Sequence, residues 1–141
     1  MNRFFLAAAL IASCSGLALA ADKQQESAGK DRVFEMRTYY THEGRGPALH
    51  KRFREHTCAL FKKHGMELVG FWTPMEEKDG KADKLVYILA HPSKEAATAS
   101  WKAFLSDPEW IKSRDASEAD GKIVKKIESV FLNPTDYSPI K

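Results

Sequence analysis

Val33-Phe34-Glu35-Met36-Arg37-Thr38-Tyr39-Tyr40-Thr41 is the stretch on which the fold turns. It is rich in aromatic and β-branched residues and alternates with period two, so it predicts a strand. Phe34, Met36, Thr38 and Tyr40 fall on one face; Glu35, Arg37 and Tyr39 fall on the other. Glu43-Gly44-Arg45-Gly46-Pro47 then breaks the alternation and places Pro47 at a helix start.

Beyond the break the period changes. Leu49, Phe53, His56, Leu60 and His64 follow spacings of three and four, which predicts a helix from Pro47 to His64 with Gly65 at its C-cap. Met66 to Trp72 predicts a second strand, and Pro74 to Asp83 a charged connection. Leu85 to His91 is the most apolar strand and belongs in the middle of a sheet. Ser93 caps a second helix running to about Leu105, with Ala97, Trp101 and Phe104 or Leu105 inward. Asp107 and Pro108 open a short helix that frays between Ser113 and Gly121. Val124 to Leu132 is the fourth strand, and Pro134, Thr135 and Pro139 close the domain in an extended tail.

The order strand, helix, strand, strand, helix, strand is the split β-α-β, or ferredoxin-like, arrangement. It predicts an α+β domain with a four-stranded antiparallel sheet and its helices on one face. Val69, Phe71, Val86, Ile88, Val130 and Leu132 cannot all point at those helices. An apolar open sheet face calls for cover, and a second copy of the chain supplies it.

The first residues read as an address. Met1-Asn2-Arg3 is followed by an apolar run from Phe4 and by small residues ending Ala18-Leu19-Ala20-Ala21. That pattern predicts a secretory signal over residues 1–20, a flexible spacer over 21–32, and an exported domain over 33–139 in the periplasm or outside the cell. Ile11-Ala12-Ser13-Cys14 also resembles a lipobox, so lipidation at Cys14, with a membrane tether, stands as the alternative. Cleavage after Ala20 removes Cys14, leaves Cys58 unpaired and excludes an internal disulfide. The formal charge of the whole chain is only +3, without the clustered basic excess of a nucleic-acid surface.

Several segments together resemble the NIPSNAP family. Phe34-Glu35-Met36-Arg37-Thr38-Tyr39 is similar to the family's opening strand, and Phe53-Arg54-Glu55-His56-Thr57 to the following helix. Leu60 to Trp72, Leu85 to Ala90, Asp107-Pro108-Glu109-Trp110 and Leu132 to Pro139 continue the likeness in order over nearly all of residues 33–139. The resemblance implies a dimeric α/β barrel, in which two ferredoxin-like protomers pack their open sheet faces and enclose a cavity. It brings no shared catalytic motif and no cofactor. Some related barrels are cofactor-independent monooxygenases or haem-degrading enzymes; others only bind.

The candidate ligand residues are Glu35, Arg37, Tyr39, His56 and Trp72. If Phe34, Met36 and Tyr40 pack under the helices, the trio Glu35, Arg37 and Tyr39 faces the dimer cavity, where Arg37 can hold a carboxylate or an enolate-like group. An ion pair of Glu35 with Arg37 that satisfies itself is the competing reading. His56 sits in the helix's apolar stripe, as base, ligand or hydrogen-bonded core residue, the last being preferred. Cys58, two positions on, falls roughly 200° away, faces solvent or a partner, and forms no dyad with His56. Trp72 and Trp110 line a pocket or a rim or, the preferred reading, pack in the core or at an interface, and Trp101 belongs to the core. No histidine pair has metal-ligand spacing, so no metal is expected, and there is no phosphate loop or nucleophile elbow. The expected function is a homodimeric barrel binding a small apolar or weakly acidic molecule. The alternative is a cofactor-independent monooxygenase or isomerase working in the cavity.

Overall fold

The computed structural model describes residues 32–141. The signal and lipidation readings, and the spacer up to residue 31, lie outside the described residues.

Strands β1 (Val33–Thr41), β2 (Glu67–Trp72), β3 (Lys84–His91) and β4 (Val124–Leu132) form one antiparallel sheet in the order β2-β3-β1-β4. That is the ferredoxin-like order, with the apolar β3 in an inner position as its composition requires. Helix α1 is continuous from Gly46 through three segments: Gly46–Arg52, a π-helical turn at Phe53–Thr57, and Cys58–Lys63. Helices α2 (Lys94–Leu105) and α3 (Pro108–Ser117) complete the layer over one sheet face.

Local chemistry sets the helix ends. Ser93 Oγ accepts from the Ala96 amide at 3.1 Å, and Asp107 Oδ1 accepts from the Glu109 amide at 2.8 Å with Pro108 in the first turn. Gly65 takes a φ of 75° just beyond α1, a left-handed conformation that glycine adopts without strain. Gly46 has a different reason. A Cβ there would lie 2.0 Å from the Ala82 carbonyl oxygen, so only glycine lets α1 begin against the β2–β3 connection.

The core lies between the helices and the sheet face carrying Leu85, Tyr87 and Leu89. Tyr87 is fully buried and meets Tyr39, Phe53 and Phe71 with ring centroids 5.3–5.4 Å apart. Aromatic pairs of this kind contribute about 0.5–1.5 kcal/mol each beyond their buried area. Phe71 therefore belongs to the helix face. An irregularity between Leu68 and Gly70 sets Phe71 opposite Tyr87. Val69, Val86, Ile88, Val130 and Leu132 remain on the open face. Of the two inward candidates on α2, Phe104 is buried and Leu105 exposed.

The π-turn corrects two expectations about α1. The Cys58 amide reaches back five residues to the Phe53 carbonyl, and Thr57 Oγ1 donates to the Arg52 carbonyl at 3.2 Å. The extra residue in this turn rotates the stripe, so Thr57 is buried while the His56 side chain is 43% exposed. His56 is therefore no core residue. Cys58, expected to face solvent or a partner, is instead half-buried against the core cluster, and burial raises its thiol pKa.

Candidate functional site

Glu35, Arg37 and Tyr39 do share a face, but it is the helix face. Glu35 lies opposite Leu89, Arg37 opposite Tyr87 and Tyr39 opposite Leu85, all core positions. Phe34, Met36, Thr38 and Tyr40 lie on the open face instead, reversing the expected orientation. The reason is hydrogen bonding. A carboxylate can be buried only where donors converge, and the helix side supplies them.

Glu35 is 2% exposed and collects four partners. Trp101 Nε1 donates to Oε2 at 2.5 Å, and Ser129 Oγ donates to Oε1 at 2.6 Å. Arg37 Nη1 donates to Oε1 at 2.9 Å, and the buried His91 Nε2 lies 3.4 Å from Oε2. Burial pushes the carboxyl pKa up, but the adjacent His91 imidazole, the hydrogen bonds of Ser129 and Trp101 and the charge of Arg37 outweigh it and hold it at about 2. Glu35 thus remains a carboxylate and anchors Arg37.

Arg37 pairs with Glu35, but the pairing does not close the site. Its guanidinium lies over the Trp101 ring, Cζ 4.1 Å from the centroid, and 5.7 Å from that of Tyr39. Its Nε is buried and makes no hydrogen bond among the described residues. Arg37 and Tyr39 line a cleft of about 590 Å³, open on one side, between β1, β4, α2 and α3. Phe104, Leu105, Val124 and Ile127 supply its apolar walls. The cleft exists because the helices leave the edge strand β4 largely uncovered; Ile127 there is 45% exposed.

The far side is built from residues whose role the sequence reading did not find. Arg52, 4% exposed on α1, donates from Nη1 to Ser117 Oγ and to Glu118 Oε1, both at 3.2 Å. Its Cζ lies 5.3 Å from the Trp110 ring centroid. Arg114 and Lys122 stand nearby on the cleft wall. One signal was present: Arg52 falls beside Phe53 and three positions after Leu49, a charge on an apolar stripe. Trp110 is buried in the core cluster, the preferred expectation for it, and also lines this cleft; Trp101 joins it from the core layer.

Two sequence candidates lie elsewhere. His56 borders a neighbouring groove of about 300 Å³ with Arg45, Lys51 and Asp120, and Arg52 lines both this groove and the cleft. Trp72 is 51% exposed, opposite Val86 on the open face, with its indole folded over Gly70. Neither lines the Arg37 cleft. Among the described residues no three His, Cys, Asp or Glu side chains form a metal-ligand group. No helix among them is long and apolar enough to cross a membrane.

The arrangement is therefore an apolar cleft with two guanidinium groups in its wall, on a ferredoxin-like α+β domain. A sequence model of the NIPSNAP family matches residues 34–139, and the chain belongs to that family. No curated protein matches it. Among solved structures, a NIPSNAP-family protein from Agrobacterium tumefaciens of unknown function is similar at 24% identity and a TM-score of 0.67, over 79% of this chain and 95% of that one. An uncharacterised NIPSNAP domain protein from Burkholderia xenovorans is 23% identical with a TM-score of 0.64, over 76% of this chain and 98% of its own. SnoaB, a cofactor-independent oxygenase from Streptomyces nogalater, shares the fold at 17% identity and a TM-score of 0.51, over 77% of this chain and 98% of its own.

Proposed function

We propose that this protein is an exported homodimer whose cleft binds a small acidic molecule with an apolar body. The observation that carries the reading is Arg37: a guanidinium held over the Trp101 ring and anchored through one Nη to Glu35, in the wall of an apolar cleft. Such a group recognises a carboxylate through charge-assisted hydrogen bonds, and Phe104, Val124 and Ile127 accommodate the apolar part. Cations outnumber acids around the cleft by one, with Arg37, Arg52, Arg114 and Lys122 against Glu118, the buried Glu35 and Asp115, which pairs with Arg114. The residual positive field favours an acid over a neutral apolar molecule.

Fold likeness to an oxygenase keeps chemistry in view as the second reading. None of the five histidines lines the cleft, so the side chains favour binding over general-base work. The homodimer is supported by the apolar open face, where Trp72, Val130 and Leu132 are each more than a third exposed. Export is supported by the leader of residues 1–20. The mass of the mature protein from its source tests it: cleavage after Ala20 or a lipidated Cys14 supports export, and an intact Met1 counts against it.

Titration with decanoate, followed by tryptophan fluorescence, tests the ligand reading. Saturable binding is expected, weakened roughly tenfold or more in Arg37→Gln by loss of charge-assisted hydrogen bonds. Absence of saturation, or equal affinity in the variant, would overturn it.

A further inference from the structure

The cleft has a second head. Arg52 reproduces at the far end what Arg37 does at the near end: each guanidinium faces an indole ring, Trp110 and Trp101 respectively, and each is anchored to one carboxylate, Glu118 and Glu35. The aromatic row between them is continuous. Ring centroids of Trp101 and Phe104 are 5.6 Å apart, and those of Phe104 and Trp110 are 4.5 Å apart. Arg37, Trp101, Phe104, Trp110 and Arg52 all line the same cleft.

Three buried donors in this row find no acceptor among the described residues: Arg37 Nε, Arg52 Nε and Trp110 Nε1. Leaving a buried N–H without a partner costs about 1–3 kcal/mol, so native structures rarely keep several together. Here they occur at both ends of one cleft, in side chains already fixed by packing. Arg52 and Trp110 are 4% and 8% exposed. These three nitrogens are themselves enclosed, so a ligand meets the two guanidinium groups only where they line the cleft, and the apolar stretch between them excludes a uniformly polar one.

We infer that the cleft selects a two-headed acid, with an oxyanion at each end and an apolar middle, bridging from Arg37 to Arg52. This rests on the acid-binding reading of the cleft and adds a second recognition point and a length requirement to it. Arg37 receives one head and Arg52 the other. Arg114 and Lys122 add positive charge around the cleft.

Sebacate and decanoate have the same carbon chain and differ only in whether the far end is a carboxylate or a methyl group, which makes them the test pair. Calorimetric titration of the full mature protein is expected to give sebacate an advantage of about tenfold, one charge-assisted contact's worth. Arg52→Gln is expected to erase that advantage, so that sebacate and decanoate bind the variant alike. Because Arg52 is buried, a second measurement needs no variant. Across saturated diacids of increasing length, affinity is expected to peak at one length, since two fixed heads select a span. Decanoate binding as well as sebacate, or a flat length series, overturns the two-headed site while leaving the acid-binding cleft intact. Failure of both acids to bind overturns the cleft reading and this inference with it.

Discussion

Trp101 donates its indole N–H to Glu35 at 2.5 Å and presents its ring face to the Arg37 guanidinium that the same carboxylate holds. One side chain on α2 thus fixes both the acid and the base of a pair on β1, tying the helix layer to the sheet where the cleft opens. Trp101→Phe keeps much of the ring and removes the donor. The expected loss is about 1–3 kcal/mol, the cost of an unsatisfied buried acceptor. Urea unfolding of the two proteins measures it, and a difference below about 0.5 kcal/mol would mean that Ser129, His91 and Arg37 suffice for Glu35.

Acid should unfold the protein partly through Glu35. Its carboxyl is held at about 2, below the ordinary 4.5, so the folded state binds fewer protons than the unfolded state between these values. The stabilisation is complete above pH 4.5 and is lost as the pH falls towards 2. Asp107, held low by Lys63, His64 and the Glu109 amide, adds a slope of the same sign. Glu35→Gln should lower stability at neutral pH by about 3 kcal/mol, because Arg37 loses its counter-charge. It should also flatten the decline below pH 4.5 without abolishing it. Unfolding curves across this pH range check both effects.

Gly46→Ala tests how α1 is seated. The added Cβ meets the Ala82 carbonyl at 2.0 Å, backbone against backbone, so either α1 or the β2–β3 connection must move. Destabilisation of about 2–3 kcal/mol is expected, at the upper end of overpacking costs. Thermal melting gives the value, and an unchanged midpoint would show that the connection yields freely.

The order of elements was legible in the sequence because each boundary carries its own chemistry. The alternation from Val33 to Thr41, the Ser93 and Asp107 caps and Gly65 all mark ends that the structure keeps. Which face of β1 meets the helices was not legible. Both faces carry aromatic rings, and only the donors from Trp101 and Ser129, distant in sequence, make the Glu35 face the buried one. His56 was misplaced because a π-turn adds a residue that a period of three and four does not anticipate. Trp72 stands half-exposed on the open face, away from the Arg37 cleft, a place that an interface role allows. Arg52 was not among the expected ligand residues, although its position on an apolar stripe marks it as unusual.

The open sheet face gives a prediction about assembly. Ile88→Glu places a charge among Phe34, Val69 and Leu132 without disturbing the core beneath the helices. Wild type is expected to sediment as a dimer at micromolar concentration and the variant as a folded monomer, since an unpaired charge in an apolar interface costs several kcal/mol. A monomeric wild type would remove the homodimer from the account.

The central claim is that the acid sits between Trp101 and Trp110, and the three indole N–H signals in a nitrogen–proton correlation spectrum report on it directly. On titration with sebacate, the account predicts saturable shifts of the Trp101 and Trp110 signals, with Trp72, on the opposite sheet face, nearly still. Movement of Trp72 alone, or of none of the three, would contradict it.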